Sequence, residues 1–270
     1  MSSIFDTISK LIFPPRCVAC KTLLPLSSKD LCDSCLEEYL AEKKLQCPRC
    51  VLPMEECTCN SRFLIGRSLE KLTKLYRYNP HMPHLATSKM IFRLKQAGSE
   101  AVAAFLAKEM AVGIRRQLNA GKSYVIVGVP RSKSSIRKYG YDHVSLLTKH
   151  LSRELSIPSV VAIERIGKDG EQKKKNRRER MQAAARSFVP ARNVSLKGKS
   201  VILVDDVVTS GATLATCANA VRVLGARGVL CSVIATGFRY DSIAERKVYE
   251  SVRHEIMRRS LIRFYNRRKP

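Results

Sequence analysis

One stretch of the chain, residues 201–213, constrains the fold more than any other. It begins with the apolar run Val-Ile-Leu-Val, which is typical of a parallel β-strand covered on both faces. Asp205 and Asp206 follow at the carboxyl end of this predicted strand, where open α/β sheets bind their ligands. A short turn rich in hydroxyl groups then leads to a predicted helix start. This order of elements predicts an α/β fold with a ligand site at the edge of its sheet.

The chemistry of the same stretch indicates what the ligand carries. Two neighbouring carboxylates can accept hydrogen bonds from a pair of hydroxyl groups, such as those at the 2′ and 3′ positions of a ribose. The turn offers backbone N–H groups and hydroxyls at a helix N-terminus, which is an arrangement that binds phosphate; its residues are Thr209, Ser210, Gly211, Ala212 and Thr213. Ribose and phosphate together describe a phosphoribosyl group. An ordinary buried strand followed by a serine/threonine turn would explain the strand but not the paired acids.

The same stretch resembles the signature with which type I phosphoribosyltransferases bind PRPP, 5-phosphoribosyl 1-diphosphate. A second predicted strand, residues 124–129, is followed by Pro130 and then by Arg131, Ser132 and Lys133. Basic and hydroxyl groups just beyond a strand suit a pyrophosphate, although a solvated basic loop would have the same composition.

Eight of the ten cysteines lie in residues 17–59 and predict a metal-binding head. They form four closely spaced pairs: Cys17 and Cys20, Cys32 and Cys35, Cys47 and Cys50, and Cys57 and Cys59. Two such pairs can give a tetrahedral zinc site with four thiolate ligands. The simplest assignment is sequential, with the first four on one zinc and the last four on a second, while an interleaved assignment and a single zinc stay open. A disulfide framework is the alternative, and the lack of a recognisable secretory signal weighs against it.

Strand and helix patterns alternate through the rest of the chain and predict a mostly parallel sheet. Further candidate strands are 69–78, 160–166 and 229–235, and candidate helices are 101–118, 134–155 with an interruption at 140–143, and 214–224. Cys217 and Cys231 lie in apolar patterns and are predicted core residues. We predict three parts: an N-terminal helix with a double zinc-ribbon-like domain over 1–62, a phosphoribosyltransferase-like domain over 63–238, and a basic helical extension over 239–270.

The formal net charge is +26, and most of the excess lies outside the head. Residues 1–60 hold 7 of the 49 Lys/Arg and 8 of the 23 Asp/Glu, which leaves 42 basic and 15 acidic residues for 61–270. Such a surface attracts polyphosphate ligands and nucleic acid alike. In the extension, Phe264 and Tyr265 lie among basic residues, as in stacking sites for single-stranded nucleic acid, but a packed terminal helix with a frayed basic end is favoured.

The sequence contains no run of eighteen apolar residues, so no membrane span is predicted. Apolar positions near the start fall on one helical face, and we expect a short helix that packs on the protein rather than on a membrane. The expected location is the cytoplasm.

The whole arrangement resembles the ComF family, proteins linked to competence and DNA uptake in bacteria. Besides the cysteine-rich head, the shared segments are Phe13-Pro14-Pro15-Arg16-Cys17, Leu94-Lys95 with Gly98, Val129-Pro130 with Gly140-Tyr141-Asp142-His143, and the spaced residues Gln172, Arg180 and Phe188. The chain departs from the family pattern at Gln96, Tyr139 and Ala183 and in the basic run 173–175. The extension after residue 238 is not part of the resemblance.

The resemblance implies that the sheet domain binds PRPP with Mg²⁺. Asp205 and Asp206, the predicted catalytic residues, would hold the ribose hydroxyls, while the turn 209–213 would hold the 5′-phosphate and residues 131–133 would meet the pyrophosphate. The loop 168–180 would close over the pyrophosphate. Two functions fit: transfer of a phosphoribosyl group to an acceptor that the sequence does not identify, or non-enzymatic PRPP sensing or single-stranded DNA binding. Single-stranded DNA and DNA-uptake proteins are the further candidate partners, and the sequence gives no oligomeric state.

Overall fold

The structure is a computed structural model that describes residues 14–26, 30–47, 49–60, 64, 69, 71–79, 81–166 and 187–237. Three predicted features lie outside these residues: the helix near the start, the loop 168–180 and the basic helical extension after 239.

A four-stranded parallel sheet forms the centre of the protein. Its strands are β1 (Lys71–Tyr78), β2 (Tyr124–Gly128), β5 (Ser200–Val208) and β6 (Gly228–Gly237). Their order across the sheet is β1-β6-β5-β2, and every neighbouring pair is parallel. This confirms the predicted α/β class, in which buried parallel strands are linked by helical crossovers.

In the described part of the chain, one helix precedes β1 and five helices lie between strands. They are α1 (Asp33–Lys44), α2 (Ala86–Ala97), α3 (Glu100–Arg115), α4 (Lys133–Tyr139), α5 (His143–Leu155) and α6 (Ala212–Val223). Side chains of Ser99 and Asp142 cap the first turns of α3 and α5, and Gly98 ends α2 in the left-handed conformation. The predicted interruption at 140–143 is therefore the junction between α4 and α5.

The predicted strand 160–166 is shorter than expected and does not join the main sheet. Only residues Ile163–Arg165 form a strand, β3, which pairs antiparallel with β4 (Phe188–Pro190) in a separate two-stranded sheet. The residues before β3 form one parallel bridge to the main sheet, between Ser159 and Ile126 of β2. The side chain of Val161 is then 78% exposed, so the apolar run is not covered on both faces as a central strand would be.

Alternate residues of β5 pack into two separate cores, one on each face of the sheet. Ile202 and Val204 belong to the first core, together with residues of α2, α3 and α5. Val201 and Leu203 belong to the second core, together with residues of α6. The period of two along the strand therefore sends neighbouring side chains of β5 to opposite faces.

The cysteine-rich head shares the first of these cores. Cys17, Val18, Leu31 and Tyr39 pack in the same apolar cluster as the helices of the sheet domain. The Tyr39 hydroxyl also donates to Glu109 Oε2 of α3 over 2.9 Å. The first part of the head thus packs against the sheet domain, while Cys47, Met54 and Cys57 form a small apolar cluster of their own.

Candidate functional site

Asp206 lies near the carboxyl end of β5 and is the point at which three segments of the chain meet. Its side chain is only 5% exposed. Oδ2 of Asp206 lies 2.7 Å from Nε2 of His143, 3.0 Å from Nζ of Lys95 and 3.7 Å from Nη1 of Arg131. One buried carboxylate is therefore surrounded by three basic side chains.

Each basic residue is positioned by the end of a different element. Lys95 belongs to the last turn of α2, His143 is the first residue of α5, and Arg131 follows shortly after β2. Because the strands are parallel, the region beyond β2 and the end of β5 lie at the same edge of the sheet. The site is therefore at the edge where ligands bind in folds of this class.

A tyrosine fixes the end of α2 against the start of α5. The Tyr141 hydroxyl donates to the backbone oxygen of Leu94 over 2.9 Å. Its ring lies so close to Gly98 that a Cβ atom added there would come within 3.0 Å of it. Two segments quoted above for their likeness to ComF, Leu94-Lys95 with Gly98 and 140–143, thus pack on each other and deliver Lys95 and His143 to one carboxylate.

The two acids of the motif have opposite electrostatic environments. Burial and the neighbouring Asp206 carboxylate raise the pKa of Asp205 to about 7. Burial also opposes ionisation of Asp206, but the hydrogen bond from His143 and the charges of Lys95 and Arg131 hold its pKa well below the usual range. Asp206 is therefore the permanent anion of the pair, and Asp205 changes charge near neutral pH.

Asp205 follows Val201 and Leu203 in the alternation that faces the second core, but the charges of Arg131 and Lys95 still act to lower its pKa, against the larger effects of burial and Asp206. The charge of Asp205 adds to the effect of burial in raising the thiol pKa values of Cys217 and Cys231, both of which are fully buried. These two cysteines are core residues, as predicted. One oxygen of Asp205 accepts a hydrogen bond from the backbone N–H of Asp206 over 2.9 Å.

The turn after β5 leads directly into the start of α6, and its contact with a phosphate stays a prediction. Gly211 has φ of 85°, a left-handed conformation that glycine adopts without steric cost, and it serves as the N-cap of α6. The Ser210 hydroxyl accepts from the backbone N–H of Ala212 over 3.4 Å. Thr209 is exposed and Thr213 is half-buried in the first turn of the helix. The N-terminal end of a helix carries partial positive charge, which favours a bound anion.

The three residues predicted to meet a pyrophosphate differ in their surroundings. Arg131 reaches Asp206. Ser132 is buried and caps α4, where its hydroxyl accepts from the backbone N–H of Ser135 over 3.1 Å. Lys133 is exposed in the first turn of that helix. Their contact with a pyrophosphate stays a prediction.

The sequence predicts no role for Lys95 or His143. Both lie in segments quoted for their resemblance to ComF, but nothing in the local pattern relates them to Asp206, which is more than sixty residues from His143 along the chain. A signal was available in His143: a polar side chain on the buried face of a predicted helix, directly after the capping residue Asp142, needs a partner.

The eight cysteines of the head form two groups of four, as the sequential assignment predicts. The sulfur atoms within each group lie within 4.8 Å of one another; the groups are Cys17, Cys20, Cys32 and Cys35, and Cys47, Cys50, Cys57 and Cys59. A single antiparallel bridge flanks the leading turn of each group, Arg16 with Leu23 and Gln46 with Pro53. Backbone N–H groups also point at sulfur, as from Cys20 to Cys17 over 3.5 Å. Four converging sulfurs of this kind fit a tetrahedral metal ion such as zinc.

A buried lysine connects the second group to the sheet. Lys74 of β1 is 5% exposed and donates from Nζ to the backbone oxygen of Cys59 over 2.8 Å. Cys47 and burial raise the pKa of the Cys57 thiol, and the charge of Lys74 and its hydrogen bond partly oppose that rise. Four thiolates around a divalent ion carry a net negative charge, which an adjacent buried ammonium offsets.

In the part of the chain that the structure describes, no helix is both long and apolar enough to cross a membrane.

Comparison with known proteins gives matches over most of the chain. Residues 143–254 match the phosphoribosyl transferase domain family. The chain is 27% identical over 226 residues to DNA utilization protein YhgH of Escherichia coli strain K12, an alignment that covers 81% of this chain and 96% of that protein. It is 28% identical over 191 residues to competence protein ComFC of Bacillus subtilis strain 168, covering 68% of this chain and 74% of that protein.

Solved structures give matches of lower similarity. A hypoxanthine-guanine phosphoribosyltransferase from Bacillus anthracis is 18% identical, with a TM-score of 0.34, over 50% of this chain and 69% of that one. A glutamine PRPP amidotransferase from B. subtilis is 23% identical, with a TM-score of 0.34, over 57% of this chain and 33% of that one.

Proposed function

Because the chain is a homologue of the ComF proteins and has a phosphoribosyltransferase domain, we propose that it binds PRPP at the edge formed by β5 and the turn after it. We further propose that it transfers the phosphoribosyl group to an acceptor. The observation that carries the proposal is the run from Asp205 and Asp206 into the Gly211-capped start of α6, with basic side chains beside the second acid. A diol-binding pair, an anion-binding helix start and nearby cations match the three chemical parts of PRPP.

Each part of the ligand has a proposed partner. Asp205 and Asp206 accept from the ribose hydroxyls, and the 5′-phosphate accepts from the backbone N–H groups and hydroxyls of residues 209–213. Arg131, Ser132 and Lys133 face the pyrophosphate. Asp205 suits a ribose hydroxyl in either protonation state, because its pKa near 7 lets it accept or donate a hydrogen bond.

The transfer step breaks the bond between the anomeric carbon and the pyrophosphate oxygen and forms a bond from that carbon to the acceptor. The bonding electrons leave with the pyrophosphate, and the acceptor supplies the pair for the new bond and releases its proton. Positive charge develops on the ribose ring between these events, close to the Asp205 and Asp206 carboxyls. The protein's contribution is therefore positioning and charge stabilisation, with no covalent nucleophile.

The fit of Mg²⁺ to the two acids is incomplete. Carboxylate oxygens are donors that Mg²⁺ prefers, but Oδ2 of Asp206 already contacts three basic groups. Repulsion from these cations opposes a divalent ion bound directly at that oxygen. We propose that Mg²⁺ would enter together with PRPP, and that the charge it supplies would stabilise the leaving pyrophosphate.

We propose that the two cysteine groups hold two structural zinc ions and that the domain boundaries lie near residues 62 and 238. Zinc would supply folding energy to a head whose apolar core is shared with the sheet domain. Thiolate sites of this kind persist in reducing compartments, which supports a cytoplasmic location.

A second candidate function is DNA handling. The relatives named above are a DNA utilization protein and a competence protein, and residues 61–270 hold 42 basic against 15 acidic residues. We propose that the chain acts in DNA uptake, with single-stranded DNA or DNA-uptake proteins as partners. Binding of that kind would weaken steeply as salt increases.

Calorimetric titration with PRPP and Mg²⁺ tests the main proposal. We expect saturable binding, and absence of heat at millimolar PRPP would reject it. Asp205→Ala combined with Asp206→Ala should abolish PRPP binding while leaving any DNA affinity and its salt dependence intact. Since these acids are buried and the double variant could unfold, Thr209→Val provides a second test at an exposed position of the turn. It should weaken PRPP binding by removing one hydroxyl contact to the phosphate.

A further inference from the structure

We propose that Lys95 is a built-in cation for Asp206 that allows the site to bind PRPP without a divalent metal. The inference rests on the proposed PRPP binding. It adds Lys95 to the binding site as a cation and predicts that binding does not require Mg²⁺. Phosphate-bearing ligands ordinarily bring Mg²⁺ to offset charge at sites of this sort. Here the chain itself places positive charge where the ligand's anions and the carboxylate would otherwise repel each other.

The contact geometry supports a role beyond an ordinary surface ion pair. Nζ of Lys95 lies 3.0 Å from a carboxylate that is 5% exposed, while the Lys95 side chain itself is 32% exposed. The lysine side chain is therefore more exposed to solvent than the carboxylate that its ammonium contacts. A cation in this position contacts the carboxylate and an arriving anion at the same time.

The balance of charge at the site favours an anion even before a ligand binds. Lys95 and Arg131 are permanent cations, and His143 adds a third basic group. Asp206 is the one permanent anion among these contacts, since burial and the Asp206 charge disfavour ionisation of Asp205. The surplus of positive charge is available to a pyrophosphate.

Arg131 gives an independent indication of a missing acceptor. Among the described residues, its Nε is one of four buried side-chain nitrogen or oxygen atoms that have no hydrogen-bond partner. A buried guanidinium N–H without an acceptor is costly, and binding of an oxyanion beside it would remove that cost. The unpaired N–H belongs to the same side chain whose Nη1 approaches Asp206, and in the proposal an oxygen of the ligand becomes its acceptor.

The backbone that carries Lys95 is held in place. The Tyr141 hydroxyl bonds to the oxygen of Leu94, the residue before Lys95, and the Tyr141 ring packs on Gly98. The flexible four-carbon stem of the lysine can still move its ammonium from Asp206 toward a phosphate oxygen. When ribose hydroxyls donate to Asp206, the ammonium can follow the pyrophosphate while the helix end stays fixed.

Calorimetric titration with PRPP in EDTA and in saturating Mg²⁺, at matched ionic strength, tests the inference. The proteins are the full-length wild type, Lys95→Met, Lys95→Arg and Lys108→Met, the last removing an exposed lysine of α3 as a matched control. We expect the wild type and Lys108→Met to bind in EDTA with less than about a tenfold loss. In EDTA, the PRPP affinity of Lys95→Met should be about 10- to 100-fold lower than that of the wild type, which is the value of one hydrogen bond to a charged group. In Mg²⁺, its PRPP affinity should recover to within about threefold of the wild-type affinity.

The outcomes separate the inference from the proposed function. Wild-type binding only in Mg²⁺, or an equal loss by Lys95→Met in both buffers, overturns the inference and leaves PRPP binding in place. No wild-type binding in either buffer rejects the proposed function and the inference with it. Lys95→Arg, which keeps the charge, should bind in EDTA more tightly than Lys95→Met, and equal weakness of the two variants would also count against the inference. Thermal melts of all four proteins confirm that each is folded before titration.

Discussion

The imidazole of His143 donates from Nε2 to Oδ2 of Asp206 over 2.7 Å, and both side chains are buried. This bond joins the first residue of a helix to the carboxyl end of the central strand. The same oxygen also receives Lys95 and Arg131. Asp206 is therefore a structural junction as well as the candidate ligand-binding acid.

Asp206→Asn should destabilise the protein far more than Asp205→Asn. The first change leaves three basic groups beside a neutral side chain, and we expect the free energy of unfolding to fall by about 2–4 kcal/mol. The second replaces a carboxyl whose pKa is already raised to about 7, so its loss should be within about 1 kcal/mol at neutral pH. Urea unfolding monitored by circular dichroism measures both values. Equal losses would contradict the electrostatic asymmetry between the two acids.

Asp205 should make stability depend on pH between about 4 and 7. In the unfolded chain its carboxyl ionises near pH 4, whereas in the folded protein it keeps its proton until about 7. The folded state thus binds more protons in this window, and the free energy of unfolding decreases as pH rises through it. Asp206 does not affect the pH dependence of stability in this window, because its pKa is lowered and its stabilising negative charge is lost only at more acidic pH. Unfolding curves at pH 5 and pH 8 should show Asp205→Asn gaining stability relative to wild type at the higher pH, and a constant difference would disprove the assignment.

Gly98→Ala should be more damaging than Gly140→Ala, although both glycines have positive φ. Alanine pays a backbone cost of about 1 kcal/mol at either position. At Gly98 its Cβ would also come within 3.0 Å of the Tyr141 ring, while at Gly140 no atom lies within 4 Å of that position. We expect Gly98→Ala to lose about 1 kcal/mol more in urea unfolding and to weaken PRPP binding by displacing Lys95. Similar losses in both variants would mean that the ring is free to move aside.

Lys74→Met should weaken metal retention in the second cysteine group. The change removes the buried ammonium beside Cys57 and Cys59, and groups that support metal ligands are typically worth about 10- to 100-fold in affinity. Competition with a chromogenic zinc chelator measures the loss, which should affect one metal equivalent per chain. Lys71→Met is the control, because Lys71 lies on the same strand but is exposed and bonds to Gln117. A matching loss in the control would exclude a specific role for Lys74.

Sequence patterns predicted the structure where the residues involved lie close together along the chain. The strand, acids and turn of 201–213 are contiguous, and the spacing of the cysteines places four sulfurs together within a short segment. Lys95 gave no such signal, and the buried position of His143 indicated that it needs a partner but not which one, because the partner of both residues lies on another element and only the fold brings them together. The pairing of β3 with β4 was missed for the same reason, since it joins segments separated by residues 167–186.

Because the head shares a core with the sheet domain, a metal ion bound by the first cysteine group would influence more of the protein than a detachable zinc module would. Cys17 and Cys35 fill positions in the same cluster as Met90, Leu94 and Leu106. Loss of an ion there would loosen the packing beneath α2, the helix that presents Lys95 to Asp206. If zinc is that ion, its supply in the cell would set how many molecules have the proposed sugar-phosphate site in a competent form, and exchange of the head between relatives would require redesign of the helices beneath it.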